Sequence, residues 1–91
     1  MSRTITPLST EVALATTVGG ASNFNNAQRL RLVNTAGSGT NHLVTVANAA
    51  GETIGSFTLS GGDMAILSKS PTDLVFAANA AVVAVPIAIK D

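Results

Sequence analysis

The chain contains no cysteine, no tryptophan, no tyrosine and a single histidine. Without cysteine there is neither a disulfide framework nor a thiolate metal site, and the redox compartment leaves no trace. Aromatics amount to only 3%, so the stacking platforms of a glycosidase groove are missing. Charge is equally sparse: five basic and five acidic side chains cancel to a formal net charge of zero. No basic stripe exists to neutralise phosphates, so nucleic acid is not an expected partner, and there is no acidic tail. Such low charge gives modest solubility in isolation and suits a protein that spends its life assembled. The most apolar stretch, FAANAAVVAVPIAI (76–89), falls short of the roughly 20 residues a membrane helix needs, and it holds Pro86 and β-branched pairs. No membrane association is expected. In MSRTITPLSTEV, Thr, Pro, Ser and Glu11 interrupt any apolar core, so no signal peptide is expected and synthesis is placed in the cytoplasm of whatever cell expresses the chain.

What the chain does contain is a series of short alternating segments: RLRLV, HLVTV, TIGSFTL, DMAILS, DLVFA and VVAVPIAI, separated by Gly, Asn, Ser or Pro clusters. Alternation at period two marks strands with one buried and one wet face. At 91 residues there is room for one domain, 1–91. The expected fold is all-β, a small antiparallel β-sandwich or barrel of about six to eight short strands. A chain this short buries only about 60–65% of its unfolded surface. Much of its 46% hydrophobic content is Ala, which fills little space and suits strands poorly. The shortfall points to help from neighbouring subunits.

Along the chain, residues 1–9 read as an extended edge strand or arm anchored by Ile5 and Leu8, with Pro7 biasing Thr6 away from helix. EVALATT (11–17) reads as a strand, Val12 and Leu14 sharing one side; a short helix capped by Ser9 or Thr10 also fits. ASNFNNAQ is a polar loop in which Phe24 plugs the core end. In RLRLV, Leu30 and Leu32 point inward and Arg29 and Arg31 outward. Loops Asn34–Asn41, NAAG, SGGD and SPTD follow as turns. Gly55 inside its strand signals a bulge or close packing. The last strand is apolar on both faces, so both are expected to be covered. Pro86 cannot donate to a ladder, which places this strand at an edge or bulge.

Reactive constellations do not assemble from these residues. His42 has no carboxylate near it in sequence, and Glu11, Glu52, Asp63, Asp73 and Asp91 are scattered singly, without metal-ligand spacing. Gly37-Ser38-Gly39 is neither a nucleophile elbow nor, without a following G-K-S/T, a phosphate cradle. Lys69 and Asp73 flank a turn and read as an exposed charge pair contributing about 0–1 kcal/mol. A catalytic lysine would need burial and a neighbouring cation. Arg29 and Arg31 read as a solvated face, or as ion-pairing groups at an interface. No catalytic, metal or cofactor site is expected, and the chain is not expected to be an enzyme.

One ordered set of segments resembles the small virion proteins of tailed phages, of the marine and cyanobacterial type. The segments are Pro7-Leu8-Ser9, Arg31 to Asn34, the hairpin strand Gly51 to Thr58, the run Lys69, Pro71, Asp73 and Leu74, and the terminal V-x-x-x-P-I-A-I-K from Val82 to Lys90. The resemblance covers most of the chain past residue 27. It departs in the loop Asn34–Asn41, which is longer, and at Phe76. The resemblance implies a structural role on the particle: a capsid decoration or cement protein of a bacteriophage, located in the virion. The expected partners are copies of itself (a homo-oligomer, with a trimer as one form) and a larger virion protein such as the major capsid protein. Candidate interface residues are Ile5, Leu8, Arg29, Arg31, Val85, Ile87 and Ile89, because extended apolar edges add to a partner's sheet. The alternative is a binding module associated with a tail fibre or spike. It would recognise a cell-surface glycan or another tail protein through a tip formed by loops Asn34–Asn41 and Gly19–Asn26.

Overall fold

The computed structural model describes residues 4–90, with side chains for residues 5–88. It is all-β. Eight strands run in chain order: β1 (Thr4–Pro7), β2 (Val12–Ala13), β3 (Arg29–Asn34), β4 (His42–Ala47), β5 (Thr53–Leu59), β6 (Met64–Ser68), β7 (Leu74–Ala77) and β8 (Val82–Lys90), with a single 3-10 turn at Val18–Gly20. They form two antiparallel sheets. Sheet one has the order β1-β8-β3-β6, with β2 also on β8, and sheet two has the order β5-β4-β7. Of the 11–17 segment, only Val12–Ala13 forms a ladder.

Alternation places the core between the sheets. Leu30 and Leu32 of β3 and Val82 and Ala84 of β8 meet Val44, Leu59 and Val75 of sheet two, with Leu14 beside them and Phe24 and Phe57 packed against the cluster. The antiparallel pattern alternates the direction of backbone groups as well as side chains. Leu8 N–H donates to Pro86 O (2.9 Å) and Leu14 N–H to Val82 O (2.9 Å), so even-numbered residues of β8 turn their backbone toward β1 and β2.

This alternation overturns the edge position expected of the last strand: β8 is interior, flanked by β3 on one side and by β1 and β2 on the other. The missing Pro86 donor falls at the break between its two outer partners. Pro7 stands opposite Ile87 and Val12 opposite Ala84, so the outer strand carries two more residues than β8 there and loops away. The break in the outer ladder thus coincides with the one position where β8 has no N–H to offer.

Asn34 ends β3 fully buried and joins the sheets. Its Nδ2 donates to Leu59 O (2.8 Å) and Thr40 O (3.0 Å), while its Oδ1 accepts from Ala36 N–H (3.0 Å). The neighbouring turn is equally close. A Cβ on Gly61 would collide with the carbonyl of Gly37, so only glycine lets the two loops meet.

Candidate interaction face and end cleft

The outward face of sheet one is built from residues that register brings into rows across the strands. Met64, Val33, Val83 and Ala13 form one row and Ile66, Arg31 and Val85 the next, each pair fixed by strand register; the pairs Ser68–Arg29 and Ile87–Pro7 follow. Ile5 lies beyond them on β1. A solvent-facing sheet surface normally alternates to polar; this one is mostly apolar. Met64 is 48% exposed, Ile66 41% and Ile5 37%. In its middle, Arg31 Nη1 reaches Glu11 Oε2 at 3.7 Å. Continuing the β2 register sets Glu11 opposite Val85, so the arginine spans β8 and its stem lies over Val85. That explains why Val85 is only 6% exposed on a face without a covering layer.

Five of the seven candidate interface residues therefore share this face: Ile5, Arg29, Arg31, Val85 and Ile87. The reason offered for Val85 and Ile87 needs correction, since both are buried within the chain (6% and 4%) on an interior strand and present no edge. Leu8 is exposed but turns to the opposite side, in register with Pro86. Ile89 pairs with Ile5 through its backbone, and its side chain lies outside the described residues. The exposed apolar residues of β6, Met64 and Ile66, were not among the candidates. Their signal was the alternation in MAILS, which puts two large apolar groups on the side opposite Leu67.

At the start of β3 the chain makes a left-handed turn. Phe24, Asn25 and Asn26 have φ of 55°, 59° and 61°, a conformation that costs roughly 1–2 kcal/mol per L-residue, least for Asn. Three local bonds hold it: Phe24 N–H to Ser22 Oγ (2.9 Å), Asn26 N–H to Asn23 Oδ1 (3.2 Å) and Asn23 Nδ2 to Asn26 Oδ1 (3.2 Å). Behind it stands Lys69, expected to be exposed and paired with Asp73. The structure instead buries it, with Nζ donating to the carbonyls of Ala27 (2.6 Å), Asn23 (3.0 Å), Ser70 (3.3 Å) and Pro71 (3.3 Å). Burial lowers its pKa from the ordinary 10.5, opposed in part by the charge of Asp73. Asp73 Oδ2 itself accepts from Ser70 N–H (3.2 Å) and closes the turn. Donating to carbonyls on both sides of the turn, the amine clamps it.

The clamped turn walls a cleft of about 650 Å3 at this end of the sandwich, lined among others by Leu8, Phe24, Asn26, Gln28, Arg29 and Pro86. The two loops proposed as one binding tip do not meet. Gly19–Asn26 precedes β3 and Asn34–Asn41 follows it, so they lie at opposite ends of a six-residue strand, roughly 17–20 Å apart.

His42 opens β4 opposite Leu59, and Glu52 Oε1 accepts from Asn48 Nδ2 (3.0 Å). Among the described residues, no three His, Cys, Asp or Glu side chains gather into a metal-binding group, and no helix is long and apolar enough to cross a membrane. Comparison with family models, with curated proteins and with solved structures gives no match.

Proposed function

We propose that this chain is a non-enzymatic structural protein of a tailed-phage virion, a capsid decoration or cement subunit that docks on a larger shell protein such as the major capsid protein. The observation that carries the reading is the largely apolar outer face of sheet one, in which Arg31 and Glu11 form the one ion pair among the described residues. Resemblance of the segments from Pro7-Leu8-Ser9 to Val82–Lys90 to small phage virion proteins supplies the location. The face also limits how docking works. Fully burying a large apolar side chain contributes about 1.5–3 kcal/mol. Half-exposed Met64, Ile66 and Ile5, with smaller gains from Val33, Val83 and Ala13, therefore offer about 4–6 kcal/mol gross on that scale. Association costs about 4–15 kcal/mol, so one copy binds weakly and several copies in contact hold.

The test is add-back to particles lacking the protein. Wild type should saturate at a copy number matching the shell's symmetry. Ala13→Asp, which places a charge at an exposed position of the dry face, should weaken binding at least tenfold. A chain that ignores shells, or binds in a few copies at the tail tip, would defeat the decoration reading.

One observation favours the second reading, a tail-associated binding module for a glycan or another tail protein. Amide and guanidinium groups of Asn26, Gln28 and Arg29 line the end cleft, suited to hydroxyl or peptide groups. Selective glycan binding abolished by Arg29→Ala would put this reading ahead of the first.

A further inference from the structure

An open sandwich exposes strand edges, and natural sheets blunt them. In this chain three are blunted. On β1 the backbone of Thr6 and Leu8 faces β8, so Pro7 faces outward and removes a donor from the free side. On β7 the edge is met by other backbone: Val75 N–H donates to Ser22 O and Ala77 N–H to Ala15 O, both at 3.1 Å. On β5 the surplus residue Ile54, between Thr53 opposite Ala47 and Gly55 opposite Val46, breaks the register. The fourth edge, β6, is bare. Lys69 N–H donates to Gln28 O, and Asn34 N–H to Asp63 O, so odd-numbered residues of this strand face β3. Met64, Ile66 and Ser68 turn both N–H and C=O outward and have no backbone partner among the described residues. The strand contains no proline, glycine, charge or bulge.

We propose that β6 is where this chain pairs with a second copy of itself, antiparallel about a two-fold axis at Ile66. The sequence of the edge is self-complementary in that arrangement. Ile66 stands opposite the partner's Ile66, and Met64 opposite the partner's Ser68, so every outward donor meets an acceptor and no like charges on the strand oppose each other. The pairing runs the two sheets into one and makes their dry outer faces continuous, doubling the apolar area presented to a third surface. It names the contact behind the self-association in the reading above, yet needs nothing from the virion assignment.

The chain has no cysteine, so Ile66→Cys introduces a unique thiol. In a hydrogen-bonded antiparallel pair the facing Cα atoms lie about 5.5 Å apart, within disulfide reach. Under mild oxidation Ile66→Cys should cross-link at least tenfold faster than Ile54→Cys, an exposed control on the bulged β5 edge. By sedimentation velocity, wild type should be a dimer, while Ile66→Lys and Ile66→Glu alone should each be monomers that re-form a dimer when mixed. Circular dichroism checks that both variants remain folded. A monomeric wild type, equal cross-linking by the two cysteines, or a dimer unaffected by Ile66→Lys overturns the proposal. Ala13→Asp separates the two ideas: it should weaken shell binding at least tenfold and leave the Ile66→Cys cross-link intact.

Discussion

Replacing Asn34 tests how the two sheets are held in one piece. The side chain is fully buried and its three hydrogen bonds all go to backbone, one to Leu59 of sheet two and two to its own loop, at Ala36 and Thr40. Asn34→Leu keeps the branching and heavy-atom count of the side chain and removes all its hydrogen-bonding groups. The carbonyl of Leu59 is buried with it, so its loss costs about 2 kcal/mol, and the partly exposed Thr40 carbonyl and Ala36 amide about 1 kcal/mol each, part of which water recovers. The expected loss is about 3–4 kcal/mol, against a total stability of roughly 5–14 kcal/mol for a chain of this size. Asn34→Asp adds a pH test. The carboxylate accepts from Ala36 but faces two carbonyls it cannot donate to, so burial and those lone pairs raise its pKa in the folded state above the usual 3.9. Between the unfolded and the raised folded value, the folded state binds the extra proton, so the penalty relative to wild type must shrink as pH falls. The chain has no Trp or Tyr, so urea unfolding is followed by far-UV circular dichroism at pH 7 and pH 4. An Asn34→Leu variant within about 0.5 kcal/mol of wild type, small beside the cost of an unmet buried carbonyl, would refute the reasoning. So would an Asn34→Asp penalty that does not change with pH.

Lys69→Met should cost about 1–2 kcal/mol at pH 7, because the carbonyls of Ala27 and Asn23 lose their donor, and should raise proteolytic cleavage within 23–27; a variant as stable and as resistant as wild type contradicts the clamp. The lowered pKa of Lys69 also makes wild-type stability rise with pH as the folded lysine deprotonates ahead of the unfolded one at 10.5, and Lys69→Met should remove that rise. At the left-handed turn, Asn25→Gly should change stability by less than about 0.5 kcal/mol, whereas Asn25→Val should lose about 1–2 kcal/mol because a β-branched residue resists φ near 59°. Equal stabilities of the two Asn25 variants would show that the turn relaxes.

The strands and their inward faces were legible because alternation is a local signal: Leu30 and Leu32 point in and Arg29 and Arg31 out, as RLRLV implies. What the sequence concealed depends on partners distant along the chain. Pro86 signalled an edge or a bulge; the strand is interior, and the missing donor falls at the break between β1 and β2, where the outer strand carries two surplus residues, and which of the two it would be depends on register that the local pattern does not record. Asn34 looked like the first residue of a loop, since a polar residue at a strand end is ordinarily wet; its partners are the carbonyls of Leu59 and Thr40, one of them 25 residues away. Lys69 was matched to the nearest opposite charge, when the carbonyls of Asn23 and Ala27, more than 40 residues upstream, hold it. The Asn-rich run around Phe24 did carry a signal for the left-handed turn, because Asn tolerates positive φ. The interaction face was half legible: the candidate residues on β1, β3 and β8 could be named, but only strand order shows that Met64 and Ile66 extend the same surface.

The most direct measurement is a density map of the intact particle at a resolution that traces strands. The account predicts many symmetry-related copies on the shell, each with the face carrying Ile5, Arg31, Val85 and Ile66 turned toward the capsid surface. A map in which that face looks out into solvent, or in which the chain occupies only a few sites on the tail, would contradict it.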